Sequence, residues 1–141
     1  NKGGKKAIQI INDCLDKKIN FTQETTLSGK RIFGTLEKAK KNGYYIRMYY
    51  VALSSLNESC IRIENRVRKG GHDIPKEDVT KRFAKRFDDA IKVLPYCDEV
   101  HFYDNENGFI DAGEYKNGEI VIKQHTEWLD QLKNEFSDKQ V

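Results

Sequence analysis

YYIRMYYVAL, from Tyr44 to Leu53, is the stretch that decides the fold. It is nearly continuous in aromatic and β-branched residues and is interrupted only by Arg47. A run of that kind suits a strand covered on both faces, as in a parallel sheet. The segments on either side agree with an α/β alternation. Behind the strand, Ser55 with Glu58 three residues later reads as a capping box, and Leu56, Cys60, Ile63 and Val67 form an apolar stripe. Gly70-Gly71 ends that helix. Pro75 starts the next, with Glu77 and Asp78 in the turn where the helix dipole favours acids. Val79, Phe83, Phe87, Ile91 and Leu94 give it an inward face.

Before the strand, Ala7, Ile8, Ile11, Cys14 and Leu15 place an amphipathic helix over Lys5 to Lys17. Ile19 to Thr25 reads as a short strand. Ser28 is expected to cap a second helix that buries Ile32, Leu36 and Ala39 and stops at Asn42-Gly43. Further on, Glu99 to Asp104 reads as a strand and Asn105 to Gly108 as a polar turn. Phe109 to Gln124 is expected to form a hairpin closed by Asn117-Gly118. Thr126 caps a last helix carrying Trp128, Leu129, Leu132 and Phe136. With no internal repeat or linker, residues 1–141 read as one domain.

Composition narrows the function classes. The 141 residues are 38% hydrophobic and 33% charged, which suits a globular chain. Lys+Arg at 25 against Asp+Glu at 22 leaves a net charge of +3, too small a surplus to point to nucleic acid. The aromatics also sit at expected core positions, which argues against RNA binding. No apolar stretch reaches the roughly 18 residues of a membrane helix. Three widely spaced cysteines, with no CxxC, give no zinc or disulfide framework and suit a reducing cytoplasm. The chain starts at Asn1 and its only methionine is Met48, so a front segment is expected to have been removed, either one residue or a larger piece.

Ligands of an open parallel sheet bind beyond the carboxyl ends of its strands. At one such end stand Glu24, Thr25 and Thr26, just before a helix N-terminus. They read either as ligand-facing groups or as turn-forming hydroxyls beside a solvated acid. Asp104 and Asn105 stand at another end. A basic cluster follows: Arg62, Arg66, Arg68 and Lys69 before Gly70-Gly71-His72, then Lys81, Arg82, Lys85 and Arg86 after it. Two helices joined at the glycines can aim guanidinium forks into one space, a geometry that matches phosphate oxygens. The same charges also read as a solvated face, with Arg62 paired to Glu58 one turn earlier. His72 reads as general base, hinge donor or ordinary loop residue.

FTQETTLSGK (Phe21 to Lys30), GYYIRMYYVALSS, RVRKGGHDIPKEDVTKRF (Arg66 to Phe83) and HFYDNENG (His101 to Gly108) resemble, in this order, the zeta-toxin family of small-molecule kinases. The resemblance implies a three-layer P-loop kinase fold with a mostly parallel sheet and a C-terminal hairpin and helix. It also implies ATP with Mg²⁺, a small-molecule or nucleotide-sugar substrate, and inhibition by a small helical antitoxin. By it, Arg66, His72 and Arg82 belong to a catalytic lid over the ATP phosphates. Glu24, Thr25 and Thr26 lie on the acceptor side, and Arg66, Arg86, Asp104 and Asn105 lie near the nucleotide. No metal ligand is assigned to this chain. Neither the GxxxxGK[ST] loop nor the family's acidic base occurs in these residues, so the central P-loop strand is expected to be missing and the chain inactive alone. The alternative expectation is a non-catalytic remnant that binds a partner through its arginine-rich surface.

Overall fold

The computed structural model describes residues 2–52, 56–106 and 108–140, with 56–59 by their backbone alone. Its contacts divide into two compact units, residues 1–46 and 47–141.

The first unit holds α1 (Lys2–Lys17) and α2 (Arg31–Lys41). On the expected face of α1 only Leu15 is fully buried, whereas Ile32, Leu36 and Ala39 are buried on α2 as expected. Gly43, with φ at 79°, follows the C-cap Asn42. The Tyr44 hydroxyl lies 2.7 Å from the Cys14 carbonyl oxygen and 2.8 Å from that of Ile19, tying the end of α1 to the chain beyond α2.

Ile19 to Thr25 is not a strand. The Leu27 N–H donates to Thr25 Oγ1 at 3.0 Å, and Leu27 takes a left-handed φ of 62°. A hydroxyl that satisfies a nearby backbone donor offers the chain an alternative to a sheet ladder. Ser28 does not cap α2 either. Its hydroxyl pairs with Thr26 Oγ1 at 2.7 Å, while the N-cap is Lys30, without a side-chain cap bond.

The second unit holds β1 (Arg47–Ala52), α3 (Leu56–Arg68), α4 (Lys76–Val93), a 3₁₀ turn (Leu94–Tyr96), β2 (Glu99–Asp104), β3 (Ile110–Lys116), β4 (Glu119–Ile122) and α5 (Glu127–Lys139). The sheet order is β1-β2-β3-β4. β1 runs parallel to β2, in register from Arg47 opposite Glu99 to Ala52 opposite Asp104. The other two pairings are antiparallel, so the sheet is mixed where a mostly parallel one was expected. The reason is that the hairpin adds directly to the edge of β2. Its turn is the expected one, with Asn117 and Gly118 at φ of 55° and 82°.

β1 is an edge strand, and its burial alternates along the chain instead of covering both faces. Val100, Phe102, Tyr115 and Ile120 point with Trp128, Leu129, Leu132 and Phe136 into one core. Tyr50 and Phe102 contact the Trp128 ring at 6.0 and 6.3 Å between centroids. Thr126 caps α5 by accepting from the Leu129 N–H at 3.2 Å. On α4, Val79, Phe87 and Ile91 are buried and Phe83 half-buried. The α3 stripe is weaker than expected: Cys60 and Ile63 are half-buried and Val67 is exposed. Ser55, and the side chains of Leu56 and Glu58, lie outside the described residues, and with them the expected capping box and the Arg62–Glu58 pair.

Candidate functional site

The parallel pairing brings the carboxyl ends of β1 and β2 side by side at Ala52 and Asp104. The Asn105 N–H continues the ladder by donating to the Ala52 carbonyl oxygen at 3.1 Å. Arg62, on α3, donates from Nη2 to the Asn105 carbonyl oxygen and also reaches that of Glu106 at 3.4 Å. Arg62 therefore fastens α3 to the loop after β2. A partner so distant in sequence leaves no local signal.

Asp104 is a buried carboxylate. Its Oδ1 accepts from the Glu106 N–H at 2.9 Å and its Oδ2 from Trp128 Nε1 at 2.9 Å. Both oxygens are thereby engaged by the protein itself. Asn105, its neighbour, is half-buried and contributes backbone groups to the same corner.

α3 and α4 are joined by the turn through Gly70 and Gly71. Gly70 has a φ of 90°, and the Gly71 N–H donates to the Arg66 carbonyl oxygen at 2.9 Å. A Cβ on Gly71 would lie 2.6 Å from Arg66 Cγ and 3.0 Å from its carbonyl oxygen, so the turn closes over Arg66 only with glycine there. Arg66, His72 and Arg82 are exposed, and among the described residues their side chains make no hydrogen bond or ion pair. The Arg66 and Arg82 guanidinium groups, without protein partners among the described residues, suit phosphate oxygens.

Arg86 behaves differently from its neighbours. Its guanidinium carbon sits 3.5 Å from the Phe83 ring centroid and 4.0 Å from that of Phe87, and Nη1 donates to the Phe83 carbonyl oxygen at 2.7 Å. Its Nε is buried with no partner among the described residues. Burial lowers the Arg86 pKa, an effect opposed by Tyr50 and Glu135. Burial also pushes the Tyr50 hydroxyl up to about 12. Arg86 lines a hollow of about 360 Å³ shared with Phe87, Trp128, Gln131 and Glu135, and is thus turned into the α4–α5 side of the unit.

In the first unit Glu24, Thr25 and Thr26 are exposed on the loop before α2, where both hydroxyls are engaged in the turn described above. A hollow of about 690 Å³ between α1 and α2 is lined by Gln23 and Lys30 on either side of them. Among the described residues no three His, Cys, Asp or Glu side chains converge to hold a metal ion. The residues present therefore fit the phosphates of a nucleotide and do not by themselves fit its Mg²⁺. Cys14, Cys60 and Cys97 are free thiols. No helix among the described residues is long and apolar enough to cross a membrane.

A four-stranded mixed sheet with helices between and after its strands defines an α/β protein. The sequence model of the zeta toxin family matches residues 4–113, and the chain belongs to that family. It is also 35% identical over 80 residues to a Haemophilus influenzae protein described as uncharacterized, an alignment covering 57% of each chain. The chain thus spans little more than half the length of that relative. No solved structure matches the sequence.

Proposed function

We propose that the chain belongs to the working apparatus of an ATP-dependent phosphotransferase acting on a small molecule or nucleotide sugar. Arg66, His72 and Arg82 form its lid and neutralise charge on the phosphoryl group in flight, where positioning and electrostatics do most of the catalysis. Glu24, Thr25 and Thr26 receive the acceptor. Arg66, Arg86, Asp104 and Asn105 serve the nucleotide, Arg86 and Asp104 by shaping the corner from within. The phosphate loop and acidic base come from sequence outside these 141 residues, so the chain alone turns over no ATP. A small helical antitoxin restrains the assembled enzyme in the cytoplasm.

Family membership supports the kinase chemistry. The observation that supports the site is the pair of exposed guanidinium groups, Arg66 and Arg82, which have no partner among the described residues and stand on the two helices joined at the Gly70-Gly71 turn. Titrating the chain with Mg·ATP while following backbone amide resonances tests it. Shifts are expected at Arg66, His72 and Arg82 and should weaken about tenfold in Arg66→Gln and Arg82→Gln, one charge-assisted contact each. Shifts confined to other elements, or unchanged in both variants, would contradict the assignment.

A further inference from the structure

Every backbone polar group of Asn105 and Glu106 has a partner, and the partners come from different elements. The Asn105 N–H donates to the Ala52 carbonyl oxygen, the last of β1, at 3.1 Å. The Glu106 N–H donates to Asp104 Oδ1 at 2.9 Å, and Asp104 is itself held by the Trp128 indole on α5. The carbonyl oxygens of Asn105 and Glu106 are both reached by Arg62 Nη2 from α3. Arg62 lies one helical turn before Arg66, so the two side chains share a face of α3. The Arg66 carbonyl oxygen in turn accepts from the N–H groups of Lys69 at 3.1 Å and Gly71 at 2.9 Å. A continuous run of contacts therefore leads from the strand-end corner through Arg62 to Arg66 and the turn into α4. The apolar packing of α3 is thin: Cys60 and Ile63 are half-buried, and Ile61 and Val67 are exposed. Side chains that leave so much surface in water contribute little to docking. A guanidinium bonded to a carbonyl is the stronger kind of hydrogen bond.

We propose that Arg62 is a positioning residue of the basic lid: it docks α3 on the Asn105–Glu106 loop and makes a nucleotide at that loop felt at Arg66. The inference rests on the reading that Arg66 and Arg82 serve the phosphates and Asn105 the nucleotide. α3 has two states, one docked with Arg62 on the carbonyls and one released with the guanidinium in water. A ligand that steadies the loop holds the acceptors in place and favours the docked state. By linkage, phosphate gripped at Arg66 strengthens the hold on the loop by the same factor. Arg62 itself touches no ligand.

The test is amide hydrogen exchange on the 141-residue chain, with and without Mg·ATP, in the parent, Arg62→Met and Arg62→Lys. Methionine keeps an apolar stem and has no donor, whereas lysine keeps a point donor for the carbonyls. Without nucleotide, Arg62→Met should speed exchange about tenfold at Gly71 and in the last turn of α3, the effect of one lost charge-assisted bond. The β3–β4 hairpin should exchange as before. With Mg·ATP, the parent should gain about fivefold protection or more at Asn105 and along α3. Arg62→Met should lose the gain along α3 while Asn105 keeps its own, and Arg62→Lys should recover part of it. Unchanged exchange in Arg62→Met overturns the proposal, and so does a speed-up shared equally by the hairpin, which marks a loss of overall stability. Nucleotide protection of α3 that survives Arg62→Met overturns it too, with the kinase reading intact. If Mg·ATP protects nothing in the parent, the nucleotide reading of the loop fails and the coupling with it, while the nucleotide-free comparison still decides whether Arg62 docks α3.

Discussion

Trp128 Nε1 donates a 2.9 Å hydrogen bond to Oδ2 of Asp104, joining the first turn of α5 to the last residue of β2. Both side chains are buried, and the bond fixes the corner at which the loop through Asn105 and Glu106 begins. A buried carboxylate keeps its place only while its oxygens have donors.

Trp128→Phe removes one of those donors and opens space in the core. The expected loss is about 2–4 kcal/mol, the sum of an unsatisfied buried acceptor and a small cavity. A lower midpoint in urea, with the denaturant slope unchanged, is the measurement. Unchanged stability would mean that the Asp104 carboxylate is not held as described.

Gly71→Ala should destabilise the α3–α4 turn more than Gly70→Ala does. Alanine at 71 drives a methyl group to 2.6 Å from Arg66 Cγ, whereas alanine at 70 meets nothing within 4 Å and incurs only its left-handed φ. The second cost is about 1 kcal/mol, and the first is about 1–3 kcal/mol, as for an overpacked site. Thermal unfolding of the two variants in parallel gives the order.

Tyr50 sets an alkaline limit. Burial raises its pKa from 10.0 to about 12, so the folded state favours the neutral phenol. A group raised on folding contributes its full stability below the unfolded pKa and loses it as pH rises through the folded one. The loss therefore falls between pH 10 and 12 and amounts to about 2–3 kcal/mol at 1.36 per unit. Subtracting the Tyr50→Phe stability profile from that of the parent chain isolates it. Parallel profiles across that window would refute it.

The local signals in the sequence carried much of the fold. Asn117-Gly118, Thr126 and Asn42-Gly43 act where their backbone preferences place them, because turn and cap chemistry involves neighbours only. The burial stripes of α2 and α5 follow their periodicity. The failures involve choices settled at a distance. Ile19 to Thr25 has strand-like residues, yet Thr25 and Leu27 close a turn there. Tyr44 to Leu53 reads as doubly covered because aromatic content cannot tell a buried ring from an exposed one, and Tyr49 is exposed. Asp104 was legible as a strand-end polar residue, but its indole partner lies 24 positions away. Arg62 holds a carbonyl 43 positions on, a contact that no local pattern signals.

Transfer of the γ-phosphate of ATP to a nucleotide sugar tests the central claim most directly, using this chain joined to an upstream segment that carries GxxxxGK[ST]. Phosphorylated sugar should accumulate with the joined protein and not with the 141 residues alone. Arg66→Gln or Arg82→Gln should slow it by about a hundredfold or more, as expected for groups that stabilise transition-state charge. A joined protein that binds ATP yet phosphorylates no nucleotide sugar or other small molecule, or that works equally well without both arginines, would contradict the account.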